Sequence, residues 1–105
     1  MAAKKTVRQV IVRAYSGVFV GELVSQSGGP ISYEVEMVNV RHVWSWSTKD
    51  LERRCGTVED LAILGAGAGT RISGPAPRVL IADVKVIADL TPLAAKRFDE
   101  LPCLA

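Results

Sequence analysis

Both tryptophans of the chain, its single histidine, an asparagine and an arginine fall within one stretch, VEMVNVRHVWSW, from Val35 to Trp46. Tryptophan faces stack on flat rings such as purines, and the planar fork of arginine pairs with phosphate. Asparagine reads an amide or a base edge with a donor and an acceptor together. A core needs apolar bulk but neither Arg41 nor Asn39. Asn39, Arg41, Trp44 and Trp46 are therefore candidates for a ligand site. The competing reading places the tryptophans in a core or a subunit interface and gives Arg41 a surface ion pair.

Other residue types that could do chemistry are weaker candidates. GAGAGT (Gly65–Thr70) suggests a phosphate loop, but a Walker loop has Lys after its last Gly, and here Thr70 and Arg71 follow. A dinucleotide fingerprint requires a strand before it and a helix opening at its end, and neither is predicted. The run reads as a flexible linker, or as a mobile flap that carries Arg71 over a ligand. His42 has no second histidine, cysteine pair or carboxylate cluster at ligand spacing, so no metal site is expected. Cys55 and Cys103 read as two buried or half-buried thiols. Asp50, Glu52, Glu59 and Asp60 fall on predicted helix surface, where carboxylates are solvated. No nucleophile–base signature is recognisable, so no catalytic residue is assigned and no enzyme is expected.

The elements that must position these residues follow from periodicity and punctuation. TVRQVIVRA (Thr6–Ala14) and SGVFVGELVS (Ser16–Ser25) read as strands, with Met1–Lys5 as a frayed arm. Gly17 and Gly21 allow a bend or the close approach of another backbone. QSGGP (Gln26–Pro30) is a turn. A long strand follows, from Tyr33 to Trp46. Period two puts Tyr33, Val35, Met37, Asn39, Arg41 and Val43 in one row and Glu34, Glu36, Val38, Val40, His42, Trp44 and Trp46 in the other. Each row changes character near Val38, so a bend or a change of environment is predicted there. Ser47–Gly65 reads as helical in two pieces, with Ser47 or Thr48 capping the first and Thr57, three residues before Asp60, capping the second. A short strand is predicted near Thr70–Ser73. Arg78–Leu90 is the clearest strand, with Leu80, Ala82, Val84, Val86, Ala88 and Leu90 as an unbroken apolar face. Thr91–Pro102 is a short helix with Thr91 as N-cap and Pro92 in its first turn. The fold class is α+β: a small antiparallel sheet or partial barrel of four to five strands, with a mid-chain helical segment and a C-terminal helix.

The totals bound the function classes. A chain of 105 residues implies a single domain, residues 1–105, whose modest stability association would help. Net charge is +2, too small for a duplex-binding protein. No apolar run approaches the roughly 18 residues that a membrane span requires. The start lacks the apolar run of a secretory signal, so a cytoplasmic protein with reduced thiols and no cofactor is expected.

YSGVFVGELVS, a turn, VEMVNVRHVWSWS, then DLAILG, VLIADVKVIADLT and a closing helix together resemble one family, in order and spacing, from about Arg13 to Phe98. It is the small phage-encoded family that includes the first-described type of Thoeris anti-defence sponge protein. The resemblance implies a non-enzymatic protein that binds and sequesters cyclic nucleotide signals without cleaving them, in the cytoplasm of an infected bacterium. The implied ligands are cyclic ADP-ribose isomers made by TIR-domain enzymes, and cyclic di- or trinucleotides of the CBASS pathway at separate sites. Homo-oligomers, from dimer to hexamer, with pockets between subunits are implied as well. Phe19 matches the family's glycine-flanked aromatic, Asn39 and Arg41 match parts of its NARR segment, and Trp44 and Trp46 match its WYW. His42 stands in place of a second Arg and Ser45 in place of a Tyr. On this reading Phe19, Trp44 and Trp46 stack on or shape the pocket, Arg41 and Arg71 meet phosphate, and Asn39 positions a base or ribose. The alternative is a structural or protein-interaction accessory module that uses the tryptophan cluster as an interface.

Overall fold

Valine- and isoleucine-rich runs form strands because branched side chains pack well on a pleated surface. The computed structural model describes residues 8–29, 31–48, 50–52 and 54–103; the arm expected at Met1–Lys5 lies outside them. Five strands pair antiparallel: β1 (Arg8–Ala14), β2 (Gly17–Gly28), β3 (Tyr33–Ser47), β4 (Gly67–Ile72) and β5 (Ala76–Asp89). Helix α1 (Val58–Leu64) precedes β4, and α2 (Pro92–Glu100) follows β5. The fold is therefore α+β, with one mid-chain and one C-terminal helix.

The sheet order is β2-β1-β5-β3-β4, and β2 also pairs with β3. Strands β1, β2, β3 and β5 thus close a hydrogen-bonded ring, and β4 extends it along the far end of β3. The ring sorts side chains into two clusters. Val10, Val12, Ala14, Val35, Met37, Val40, Ile81 and Val84 fill the ring, with Phe19 and Leu23 of β2 packed against them. Ile11, Val20, Val43, Ile72, Leu61 and Phe98 belong to a second cluster between the sheet and the helices. Alternation along β1 serves both, since Val10 and Val12 face one way and Ile11 the other. Each fully buried branched side chain contributes about 1.5–3 kcal/mol.

Strict period two fails at several points, and three of them decide where the candidate residues and the exposed apolar ones lie. In β3, Val20 pairs with Arg41 but Glu22 with Val38, so Asn39 and Val40 together oppose Gly21. Asn39 adopts φ 51 to make this bulge. A Cβ on Gly21 would lie 3.0 Å from the Val38 carbonyl oxygen and 3.1 Å from the Val40 Cα, so the bulge requires glycine opposite it. The expected single row therefore breaks: Val35 and Met37 are buried, Asn39 is exposed, and burial resumes at Val40. In β5, Tyr33 pairs with Val84 and Val35 with Ile81, which leaves an extra residue near Asp83 at φ 55. The predicted unbroken apolar face is accordingly interrupted, with Ile81 buried and Leu80 68% exposed. Further along β3, Val43 pairs with Ile72 and Ser45 with Arg71, so Trp44 is the additional residue.

Two expectations about the middle of the chain are corrected. The first helical piece after Ser47 does not form among the described residues; a single turn stands there, in which the Leu51 N–H donates to the Thr48 carbonyl at 3.2 Å. Gly67–Thr70, read as flexible linker, is strand β4 instead. Pairing with β3 supplies hydrogen bonds that local propensity does not reveal.

The caps match the sequence signals. The Thr57 hydroxyl accepts from the Asp60 N–H at 3.2 Å. The Thr91 hydroxyl accepts from the Ala94 N–H at 3.1 Å and donates to the Ile63 carbonyl at 2.6 Å, joining the start of α2 to the last turn of α1. Met37 is fully buried and Leu80 is not, although both lie on paired stretches of neighbouring strands. Met37→Ala is expected to cost about 2–5 kcal/mol of unfolding free energy in urea, and Leu80→Ser less than about 0.5 kcal/mol.

Candidate functional site

Strand β3 carries most candidate residues, and its two bulges send them in different directions. Phe19 and His42 are cross-strand partners. Their rings stack with centroids 4.6 Å apart and planes 18° from parallel. Trp44 meets the His42 ring edge-on at 5.6 Å and 71°. Its indole N–H donates to His42 Nδ1 at 2.9 Å. The three rings form a ladder that starts on Phe19, at the ring core, and ends on Trp44, which is 50% exposed. Gly17 makes room for the middle rung, since a Cβ there would lie 2.6 Å from His42 Nε2.

Trp46 goes elsewhere. It packs against the helix-side cluster, and its indole N–H donates to the Cys55 carbonyl at 3.0 Å. The expectation that Trp44 and Trp46 share one face with His42 is corrected by the bulge at Trp44, which turns the following residues over. Cys55 is buried, whereas Cys103 is exposed rather than half-buried.

Arg41 faces the opposite side from the ladder and is held by the main chain. Its Nε donates to the Ser73 carbonyl at 2.8 Å, and its two terminal nitrogens donate to the Phe98 and Leu101 carbonyls at 2.6 and 2.7 Å. Phe98 and the C-cap Leu101 lie at the C-terminal end of α2, where the Phe98 carbonyl also accepts from the Leu101 N–H at 3.3 Å and a cation is favoured by the helix dipole. One guanidinium thus fastens α2 and the segment after β4 onto β3. Beside it, the Asn39 side-chain amide donates to Glu22 Oε2 at 2.6 Å. Glu22, Asn39, Arg41 and Asp99 line a cleft of about 90 Å³ next to Phe98. The same four residues line an open groove of about 420 Å³ towards Cys103. The cleft falls below the ~300 Å³ at which ligand pockets begin. In the groove, a phosphate would meet two carboxylates as well as an arginine whose fork already has partners. Arg71 is exposed on β4, in register with Ser45. Among the described residues, no three His, Cys, Asp or Glu side chains are grouped to hold a metal ion.

The chain belongs to a family described as a domain of unknown function, DUF6948, whose model matches residues 7–98. No curated protein and no solved structure matches it. In this DUF6948 chain the candidate residues therefore occupy separate places: Phe19 and Trp44 on the ladder, Asn39 and Arg41 in the groove, Trp46 against the helices, and Arg71 on β4.

The sequence did not mark His42 as the neighbour of Phe19. Phe19 lies nine residues before Gly28 and His42 nine after Tyr33, the pair that closes the hairpin, but the two rings stand opposite each other only because the extra residue at Val24 of β2 offsets the one at Asn39 of β3. No signal foretells the Arg41 clamp, whose acceptors are carbonyls more than 30 residues away.

A second arginine braces the helices. Arg97 of α2 forms a two-pronged pair with Glu52, at 2.9 and 3.0 Å, and donates to the Leu64 carbonyl at 2.7 Å. The hydrogen bond from Arg97 holds the Glu52 carboxyl below its ordinary value of 4.5. A carboxylate with a lowered folded-state pKa stabilises above the ordinary value and loses that contribution as pH falls through the folded one. Glu52→Gln is expected to flatten the acid limb of the stability profile below about pH 4.5 in a urea titration. At neutral pH, Arg41→Met is expected to cost about 2–4 kcal/mol, because three carbonyls lose a charged donor, whereas Arg71→Met stays within about 0.5 kcal/mol of the parent.

Proposed function

We propose that the protein is a non-enzymatic sponge of phage origin that binds a small cyclic nucleotide immune signal and holds it uncleaved in the cytoplasm of an infected bacterium. The signal is a cyclic ADP-ribose isomer from a Thoeris TIR enzyme, or a cyclic di- or trinucleotide of CBASS. One observation carries this reading. Trp44 is half exposed, and its indole is oriented by a hydrogen bond and an edge contact to His42, whose own ring is stacked on Phe19. A fixed, open, flat apolar surface is what a nucleobase stacks on, and little side-chain freedom remains to be lost on binding. The collinear motif order from Arg13 to Phe98 supports the same reading by resemblance.

Within it, Arg41 and Asn39 shape the groove beside α2, and Arg71, exposed on β4, is the cation open to a phosphate. Trp44 and Arg41 lie on opposite faces of β3, so a ligand that touches both draws on two copies of the chain, which fits a homo-oligomer. Such a protein requires affinity alone; stacking, charge-assisted hydrogen bonds and water exclusion supply it without a base or nucleophile.

The second reading is a protein-interaction module with Trp44 as a hot spot. It is favoured by the engagement of the Arg41 fork with main-chain carbonyls, which leaves that groove little free positive charge. Calorimetry with cyclic ADP-ribose isomers and cyclic dinucleotides, followed by heat release and mass analysis, decides between them. Recovery of intact ligand is expected. Trp44→Ala is expected to weaken binding about 5- to 150-fold, the loss of one base–aromatic stack, with an unchanged urea midpoint. No binding of any cyclic nucleotide, or release of an altered product, contradicts the proposal. A Trp44→Ala variant that loses a protein partner but keeps full nucleotide affinity favours the second reading.

A further inference from the structure

An indole N–H donates and cannot accept a hydrogen bond. His42 Nδ1, 2.9 Å from Trp44 Nε1, must therefore be the acceptor, which requires the neutral imidazole with its proton on Nε2. The ring cannot easily turn to offer its other nitrogen. It is stacked on Phe19, Nε2 occupies the space left by the missing Gly17 side chain, and the His42 main-chain N–H is tied to the Ser73 hydroxyl at 2.9 Å. An imidazolium has two donors and no acceptor. Protonation would set two N–H groups against each other and remove the contact that orients Trp44.

Among the described residues, the contacts seen at the ring come from Gly17 and Phe19 of β2 and Trp44 of β3, none of them a carboxylate. Glu22 of β2 is bonded to Asn39, and Arg41 of β3 is turned to the helix side. Arg13 of β1, in register with Val18, and Arg71 of β4, in register with Ser45, are both exposed.

We propose that His42 is a positioning residue with a proton-controlled grip: neutral, it holds Trp44 as a fixed stacking face; protonated, it lets the indole go. The inference deepens the sponge reading by making the stacking face acid-sensitive, but it concerns the free protein and is tested without ligand. His42 is the chain's single histidine, so its ring nitrogens are assigned without ambiguity in nitrogen-15 NMR. At about pH 8 the imidazole should show the Nε2–H tautomer. On acidification to about pH 5, the Trp44 indole N–H should exchange with water about 2- to 10-fold faster, once corrected for intrinsic pH effects by reference to Trp46, as one hydrogen bond is lost. In His42→Asn, whose side-chain oxygen can accept in place of Nδ1, the indole should stay protected at both pH values. In His42→Ala it should exchange quickly at both. A Trp44 signal with the same corrected exchange at both pH values in the parent protein, or an Nδ1–H tautomer at pH 8, overturns the proposal. Should the switch operate while no cyclic nucleotide binds at either pH, the sponge reading fails and the proton-controlled grip stands.

Discussion

A left-handed residue in the middle of the longest strand governs where the candidate side chains of this protein point. Asn39 at φ 51 inserts one extra residue into β3 opposite Gly21. Before the insertion β3 fills the ring with Val35 and Met37; after it, Val43 faces the helices and His42 faces Phe19. Arg41 is thereby delivered to the junction of α2 with the segment after β4, where it donates to the Ser73, Phe98 and Leu101 carbonyls. Without the phase change the guanidinium and the imidazole would exchange faces, and neither the helix clamp nor the ring ladder could form.

Two different solutions to polar satisfaction thus sit on adjacent residues. Arg41 is consumed by architecture: it donates to carbonyls at the C-terminus of α2 and joins β3, α2 and the segment after β4. His42 and Trp44 satisfy each other and leave Trp44 half exposed to solvent. A flat side chain held in one orientation is a surface of the kind on which a nucleobase stacks. The groove near Arg41 has the opposite character, with Glu22 and Asp99 at its walls. Membership of the DUF6948 family adds no activity to this contrast, so the functional reading rests on the ladder and on the resemblance in motif order.

Much of the scaffold was legible in the sequence. Branched runs marked the strands, QSGGP the hairpin, and Thr57, Thr91 and Pro92 the helix starts, because those signals act over a few residues. The bulges were legible only in part. The change of row character near Val38 and the glycine at position 21 pointed to the irregularity at Asn39, but Asp83 and Trp44 look like ordinary strand residues, and nothing nearby shows that either opposes no partner. Period two therefore put Trp46 beside Trp44 and read Leu80–Leu90 as one face. Only the Thr70–Ile72 end of β4 was expected as strand, for the converse reason: a glycine-rich run is a poor strand alone, and pairing with Val43–Ser47 is what extends it back to Gly67. The tertiary role of Arg41 lay beyond reach because carbonyls carry no sequence signature.

The central claim is that the Phe19–His42–Trp44 ladder, rather than the Arg41 groove, receives a flat ligand. A crystal structure of the protein with a bound cyclic ADP-ribose isomer tests it most directly. The account predicts a base lying about 3.5 Å from the open face of Trp44, with Arg41 still on the carbonyls of Ser73, Phe98 and Leu101. A ligand seated between Glu22, Asn39 and Asp99 with Arg41 pulled from α2, or an indole face left empty, would contradict it.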